Sequence, residues 1–165
     1  MRGVAARRWK PVAFAVVAAF VVAAIGGLAT DTGTWYQQLR KPSWQPPDWL
    51  FGPVWTTIYA LLVIAGVRGW LRATSGASRE WLIVLFASNG FVNVLWSLLF
   101  FRLQRPDWAL AEVGVLWSSV LVLTIVLGLR DRLGGILIAP YLAWVSFAAF
   151  LNLTIVALNA PFTGR

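Results

Sequence analysis

Apolar positions gather into five long runs, broken by short stretches of Arg, Asp, Gly and Pro, and one polar-aromatic stretch interrupts them early in the chain. The runs cover residues 12–29, 53–70, 80–101, 108–129 and 134–158. A bilayer-spanning helix takes about 17–25 predominantly apolar residues, so each run predicts one membrane-spanning helix. The first, after Arg2, Arg7, Arg8 and Lys10, resembles a signal peptide in its basic leader. Its apolar stretch outlasts the usual h-region of about 7–15 residues and no A-x-A site follows, so it reads as a span. Pro53 suits the first turn of the second helix, where a missing N–H is no loss. Pro140, inside the fifth, predicts a bend near Ala139.

The interrupting stretch, residues 30–52, reads TDTGTWYQQLRKPSWQPPDWLFG. It is too polar to span, and Pro46-Pro47 favours extended or turn geometry. Its Trp35, Tyr36, Trp44 and Trp49 fit either an interfacial belt or a lid folded back over the bundle. The expectation is therefore an all-α membrane protein: one domain over residues 1–165, a five-helix bundle, and a Trp/Pro-rich loop between the first two helices.

Composition agrees. Of 165 residues, 59% are hydrophobic and 12% charged, with a mean hydropathy of +0.73. Soluble domains run nearer 45–50% apolar and about 25% charged. The net charge of +8 sits between the apolar runs rather than on one face, which argues for membrane orientation and against a nucleic-acid partner. With the N-terminus inside, the inner segments carry Arg2, Arg7, Arg8, Lys10, Arg68, Arg72, Arg79, Arg130 and Arg132; the outer ones carry Arg40, Lys41, Arg102, Arg105 and Arg165. Nine against five predicts a cytoplasmic N-terminus and an outward-facing loop.

The chain has no Cys, no His, and only Met1 as methionine. Disulfides, imidazole bases and the usual ligands of zinc, copper and haem iron are thereby excluded, so no metal, cofactor or catalytic residue is expected. Charged residues stay near the ends of the runs. Glu112 stands one turn inside the fourth, within reach of the interface. Coupled transport and proton relays usually need buried charge, so this placement argues against both. Ser118 and Ser119 have no His partner and read as packing residues.

Polar and aromatic residues inside the spans form stripes. Asn89, Asn93 and Trp96 lie on one face of the third helix; Trp144, Ala148 and Asn152 share a face of the fifth, with Tyr141 adjacent; Trp55 and Tyr59 are one turn apart in the second. Such stripes serve either as interhelical glue or as the wall of a ligand site, and spacing leaves both open. Trp9, Trp70, Trp81 and Trp108 sit at helix ends, as belt residues do, whereas Trp55, Trp96, Trp117 and Trp144 are deeper.

Three blocks then stand out: WYQQLRKPSWQPPDWLFGPVWTTIY (Trp35–Tyr59), NGFVNVLWSLLFF (Asn89–Phe101) and PYLAWVSFAAFLN (Pro140–Asn152). In order and spacing they resemble the translocator protein (TspO/MBR) family, which takes in bacterial tryptophan-rich sensory proteins and mitochondrial peripheral-type benzodiazepine receptors. The resemblance covers roughly residues 34–159. It implies a five-helix bundle, commonly a homodimer, in a membrane that for this chain is a bacterial cell membrane. It also implies a pocket between the helices on the side of the first loop that takes porphyrins and other apolar small molecules. By motif position that pocket would draw on Tyr36, Pro42, Trp55, Asn89, Asn93, Trp96, Trp144 and Ala148. Asn89 replaces the family's usual, longer Gln, and the basic residue of the animal cholesterol motif has no counterpart after Asn152.

The function implied is a membrane receptor or sensor for tetrapyrrole-type ligands, with a regulatory or transport role. The alternative is light- and oxygen-dependent porphyrin degradation by pocket tryptophans.

Overall fold

The structure, a computed structural model, describes the backbone of residues 2–162 and the side chains of residues 9–162. Its helices are α1 (Arg2–Ala29), α2 (Thr34–Gln38), α3 (Asp48–Arg72), α4 (Gly76–Ser97), α5 (Pro106–Arg130) and α6 (Arg132–Asn159). A π-helical turn, Leu98–Arg102, continues α4. Five of these stretches are long and apolar enough to cross a membrane, Trp9–Ala29 representing α1. Helices are what lipid permits, because each backbone N–H and C=O must find its partner within the segment.

Helix ends follow local chemistry. α3 starts at Asp48, earlier than the apolar run suggested, because an acidic residue suits a helix N-terminus. Pro53 therefore lies a turn further in than expected, and its carbonyl accepts from the Thr57 hydroxyl (2.9 Å). Ser75 caps α4 by accepting from the Ser78 amide at 3.1 Å. Pro106 opens α5, and α6 runs on through Pro140.

The five long helices form a ring in which α1 touches α3 and α4, α3 touches α6, and α5 lies between α4 and α6. Its core is built on Ile58, Leu62 and Ala65 of α3, on Val113, Leu116, Val120, Leu123 and Leu127 of α5, and on Ile138, Tyr141 and Val145 of α6. The α5 positions recur every three or four residues, so one stripe of that helix is buried. α5 and α6 approach closely at Gly135, where a Cβ would stand 2.7 Å from the Gly128 Cα and 3.0 Å from the Thr124 carbonyl oxygen. By contrast α1 exposes Phe14, Phe20 and Leu28, as a lipid-facing helix does.

Residues 30–47 fold back over one end of the ring. Trp44 stacks on Phe150 (5.2 Å) and meets Phe147 edge-on, while Trp35 meets Phe100 edge-on. The Arg40 backbone exchanges two 2.8 Å hydrogen bonds with the Asn159 side chain, pinning the segment to the end of α6. Trp49 points away, 71% exposed. Trp35 and Trp44 thus pack onto the bundle, and Trp49 does not.

Candidate functional site

The site grows from amide and phenol groups that the helices turn inward at mid-height. Burial of a polar side chain is costly unless it is hydrogen-bonded, and Asn89, Asn93 and Asn152 are all buried and bonded. Asn93 accepts from the Tyr59 hydroxyl (3.2 Å) and donates to the Tyr141 hydroxyl (3.0 Å), joining α3, α4 and α6. Asn89 donates to Ser119 of α5 at 2.8 Å. Trp55 stacks on Tyr59 (5.6 Å) and sets its ring edge-on to Tyr141 (5.9 Å), closing the cluster toward the loop.

On the other side of this cluster lies a cavity of about 410 Å³ between α1, α3 and α4. Ala15, Ala18, Ala19 and Val22 form the α1 wall; Leu62, Val63 and Gly66 come from α3; Phe86 and Gly90 come from α4. Its polar floor is Tyr59, Asn89, Asn93 and Tyr141, and it extends away from the loop to Lys10 and Trp70. Gly90 sets its width: a Cβ there would stand 2.9 Å from a Val22 methyl, so glycine lets α1 and α4 close above the floor.

Of the eight residues singled out from the sequence, Asn89 and Asn93 line this cavity, and the other six lie on its loop side. Trp55 is a turn above Tyr59. Trp96 stacks on Phe100 (5.1 Å) and donates its indole N–H to Asn152 (3.2 Å), whose amide in turn donates to the Pro106 carbonyl. Trp144 packs between Phe51 and Phe147, at 5.5 and 5.4 Å. Ala148, half-buried, is a turn beyond Trp144, and the Pro42 carbonyl accepts from the Gln45 amide in the loop.

Tyr36 is buried in α2 against Phe101, with the Lys41 ammonium 3.5 Å above its ring. Its hydroxyl donates to Asp48 (3.0 Å) and accepts from Gln45 (3.2 Å). Burial first, and the Asp48 carboxylate second, push this phenol up to about 12. The π-helical turn feeds the same cluster, since it buries Phe100 and sets Phe101 against Tyr36. Such turns recur near functional sites.

Two placements add to the sequence reading and a third departs from it. Trp117 is midway along α5 but faces outward, its N–H on Ser146 at 2.8 Å. Ser119, read as a packing residue, is the partner of Asn89, whereas Ser118 bonds back to the Gly114 carbonyl. Glu112 does not reach the interface: protein shields both its carboxylate oxygens. One turn of depth suggested a snorkelling side chain, but this one turns inward. Tyr59 and Tyr141 hold the cluster together; their one-turn spacing or adjacency to Trp55 and Trp144 was the available signal.

At the end far from the loop, Asp131 pairs with Arg68 and stands 3.7 Å from Arg72. The Arg68 guanidinium holds the Asp131 carboxyl below the usual carboxylate range.

Comparison with known proteins matches residues 14–158 to the TspO/MBR family. The chain is 37% identical to the tryptophan-rich protein TspO of Chlorobaculum tepidum, over 76% of this chain and 79% of the relative. It is 39% identical to the TspO of Archaeoglobus fulgidus, over 80% and 84% of the two chains. To the translocator protein of Sus scrofa it is 37% identical, over 72% and 70%. With five membrane-crossing helices and a match over most of its length, this chain is a multi-pass integral membrane protein and belongs to the TspO/MBR family.

Proposed function

We propose that the protein is a membrane receptor for a flat, largely apolar ligand of the tetrapyrrole class, held between α1, α3 and α4. The carrying observation is the cavity of about 410 Å³ with apolar walls and a hydrogen-bonded floor of Tyr59, Asn93 and Tyr141. Small-molecule sites have this character: about 300–1,000 Å³, mostly apolar, with a few placed polar groups. The walls exclude water from the macrocycle while the floor offers it hydroxyl and amide groups. Trp55, stacked on Tyr59, sits one ring behind that floor and reports occupancy. The alanines of the α1 wall favour entry from the lipid side. The distribution of Lys and Arg favours a cytoplasmic N-terminus, and the likeness to a bacterial relative supports a bacterial cell membrane.

The test is titration of the purified chain with protoporphyrin IX, read by quenching of tryptophan fluorescence. Saturable binding that weakens in Asn93→Leu and Trp55→Phe is expected. Unchanged affinity in both variants would overturn the site. Illuminating the complex separates receptor from enzyme, because the receptor reading expects a stable Soret band.

A further inference from the structure

Glu112 is a shielded carboxyl near the site that the reading above leaves unused. It lies six residues into α5, about 9 Å along the axis at 1.5 Å per residue, within a membrane-crossing stretch. Neither shielded oxygen has a hydrogen-bond partner among the described residues. A carboxylate ion so placed loses its water and gains no partner, and intramembrane carboxyls mark functional sites for that reason.

Register shows what it faces. Ser119, two turns along the same face of α5, bonds to Asn89 of α4. The two helices run in opposite directions, so seven residues back toward the loop Glu112 comes level with Trp96, one turn from Asn93. Of the groups around it, α4 contributes Asn89, Asn93 and Trp96, none of which titrates. α6 contributes Tyr141, bonded at 3.0 Å to Asn93, which stands one turn from the level of Glu112; α3 contributes Tyr59 at the far end of the Asn93 bridge. On α5 itself Arg105 and Asp107 pair with each other. No Lys or Arg among the described residues neutralises Glu112, which leaves a proton as its counter-ion. The Asn93–Tyr141 bond uses the Tyr141 oxygen as acceptor and leaves that hydroxyl's hydrogen for another partner.

We propose that Glu112 is a proton-binding site inside the membrane, held as the neutral acid and coupled through the Tyr141 hydroxyl to the polar floor of the cavity. Proton uptake converts the carboxylate to the acid with no other bond made or broken. Only the ligand arm of the test rests on the tetrapyrrole reading.

Infrared spectroscopy of the full chain in lipid nanodiscs tests it. The sequence contains two glutamates, Glu80 and Glu112, so ¹³C-glutamate labelling of a Glu80→Gln variant leaves Glu112 as the sole labelled carboxyl, itself unmutated. At neutral pH the labelled band is expected at the carbonyl stretch of a neutral acid, with a shift in D₂O. A labelled signal confined to the carboxylate bands overturns the proton site. Tyr141→Phe is expected to move the acid band by removing its neighbour's hydroxyl; an unmoved band overturns the coupling. Protoporphyrin IX is expected to shift it too, and bound porphyrin with an unmoved band also overturns the coupling. Failure of protoporphyrin to quench tryptophan fluorescence overturns the tetrapyrrole reading alone, since the apo spectra stand without it.

Discussion

Asn93 offers the sharpest separation of packing from ligand binding. Replacing it with Leu keeps the γ-branched shape, with bulkier methyls that the adjoining cavity can take, and removes two hydrogen bonds, the 3.2 Å bond from Tyr59 and the 3.0 Å bond to Tyr141. Interhelical hydrogen bonds in membranes average about 0.6 kcal/mol and reach about 1.7 kcal/mol. Losing two therefore costs about 1–3 kcal/mol, a factor of about 5 to 150 in the folding equilibrium. A double-mutant cycle between Asn93→Leu and Tyr141→Phe isolates one bond. Measured by reversible unfolding in lipid nanodiscs, its coupling energy is expected between about 0.5 and 1.7 kcal/mol. A coupling indistinguishable from zero would refute the bridge itself. The same variants, titrated with protoporphyrin IX while still folded, carry the second question. Loss of affinity beyond the stability change supports a ligand floor. Lost stability with unchanged affinity would reduce Asn93 to interhelical glue.

Other expectations concern the flanks of the site. Gly135→Ala places a methyl against the backbone of Gly128 and Thr124, which cannot rotate away; overpacking of this kind costs about 1–3 kcal/mol, visible as a lower unfolding midpoint, while Gly114→Ala, with open space around it, is expected to be neutral. The Tyr36 phenol has a folded-state value of about 12 against 10 unfolded, so its contribution to loop docking is complete below pH 10 and fades as pH rises through 12. Fluorescence of Trp35 and Trp44 follows that release, and Tyr36→Phe is expected to flatten the profile. For Asp131 the sign is opposite: a carboxyl held below its ordinary value stabilises at neutral pH, and that stability is lost as pH falls through the folded value. Asp131→Asn is expected to lower the unfolding midpoint at pH 7 and to match the parent in strong acid.

What the sequence disclosed, and what it hid, follow from which forces leave a one-dimensional trace. Apolar length disclosed the five helices, because lipid sets the span whatever the neighbouring helices do. Helix ends shifted by a few residues where a single polar group decided the matter, as Asp48 did by starting α3 ahead of Pro53. Periodicity placed Asn89 and Asn93 on one face, and the fold turns that face inward. It could not say which helix lies opposite, so the partners of that face, Tyr59, Ser119 and Tyr141, emerged only with the ring order of the bundle.

The same blindness explains Trp117 and Glu112. Both belong to α5, whose residues are nearly all apolar and give little hint of which face is buried. Depth along the helix set Trp117 apart from the belt tryptophans and put the carboxyl near the interface, but said nothing of which way either faces. Rotation about the axis, set by the Val113–Leu116–Val120 stripe packing on α6, sends the indole to the surface and the carboxyl inside. A carboxyl near a helix end is cheap when it snorkels and costly when it turns inward. Here the packing of the stripe determines which of the two occurs. That dependence gives the α5–α6 contact a functional consequence: a substitution that rotates α5, even at Gly135 near the opposite end of the helix pair from Glu112, is expected to disturb Glu112 as well as stability. The labelled carboxyl band in Gly135→Ala measures this, and a band identical to the parent's would show that α5 yields to the added methyl without turning.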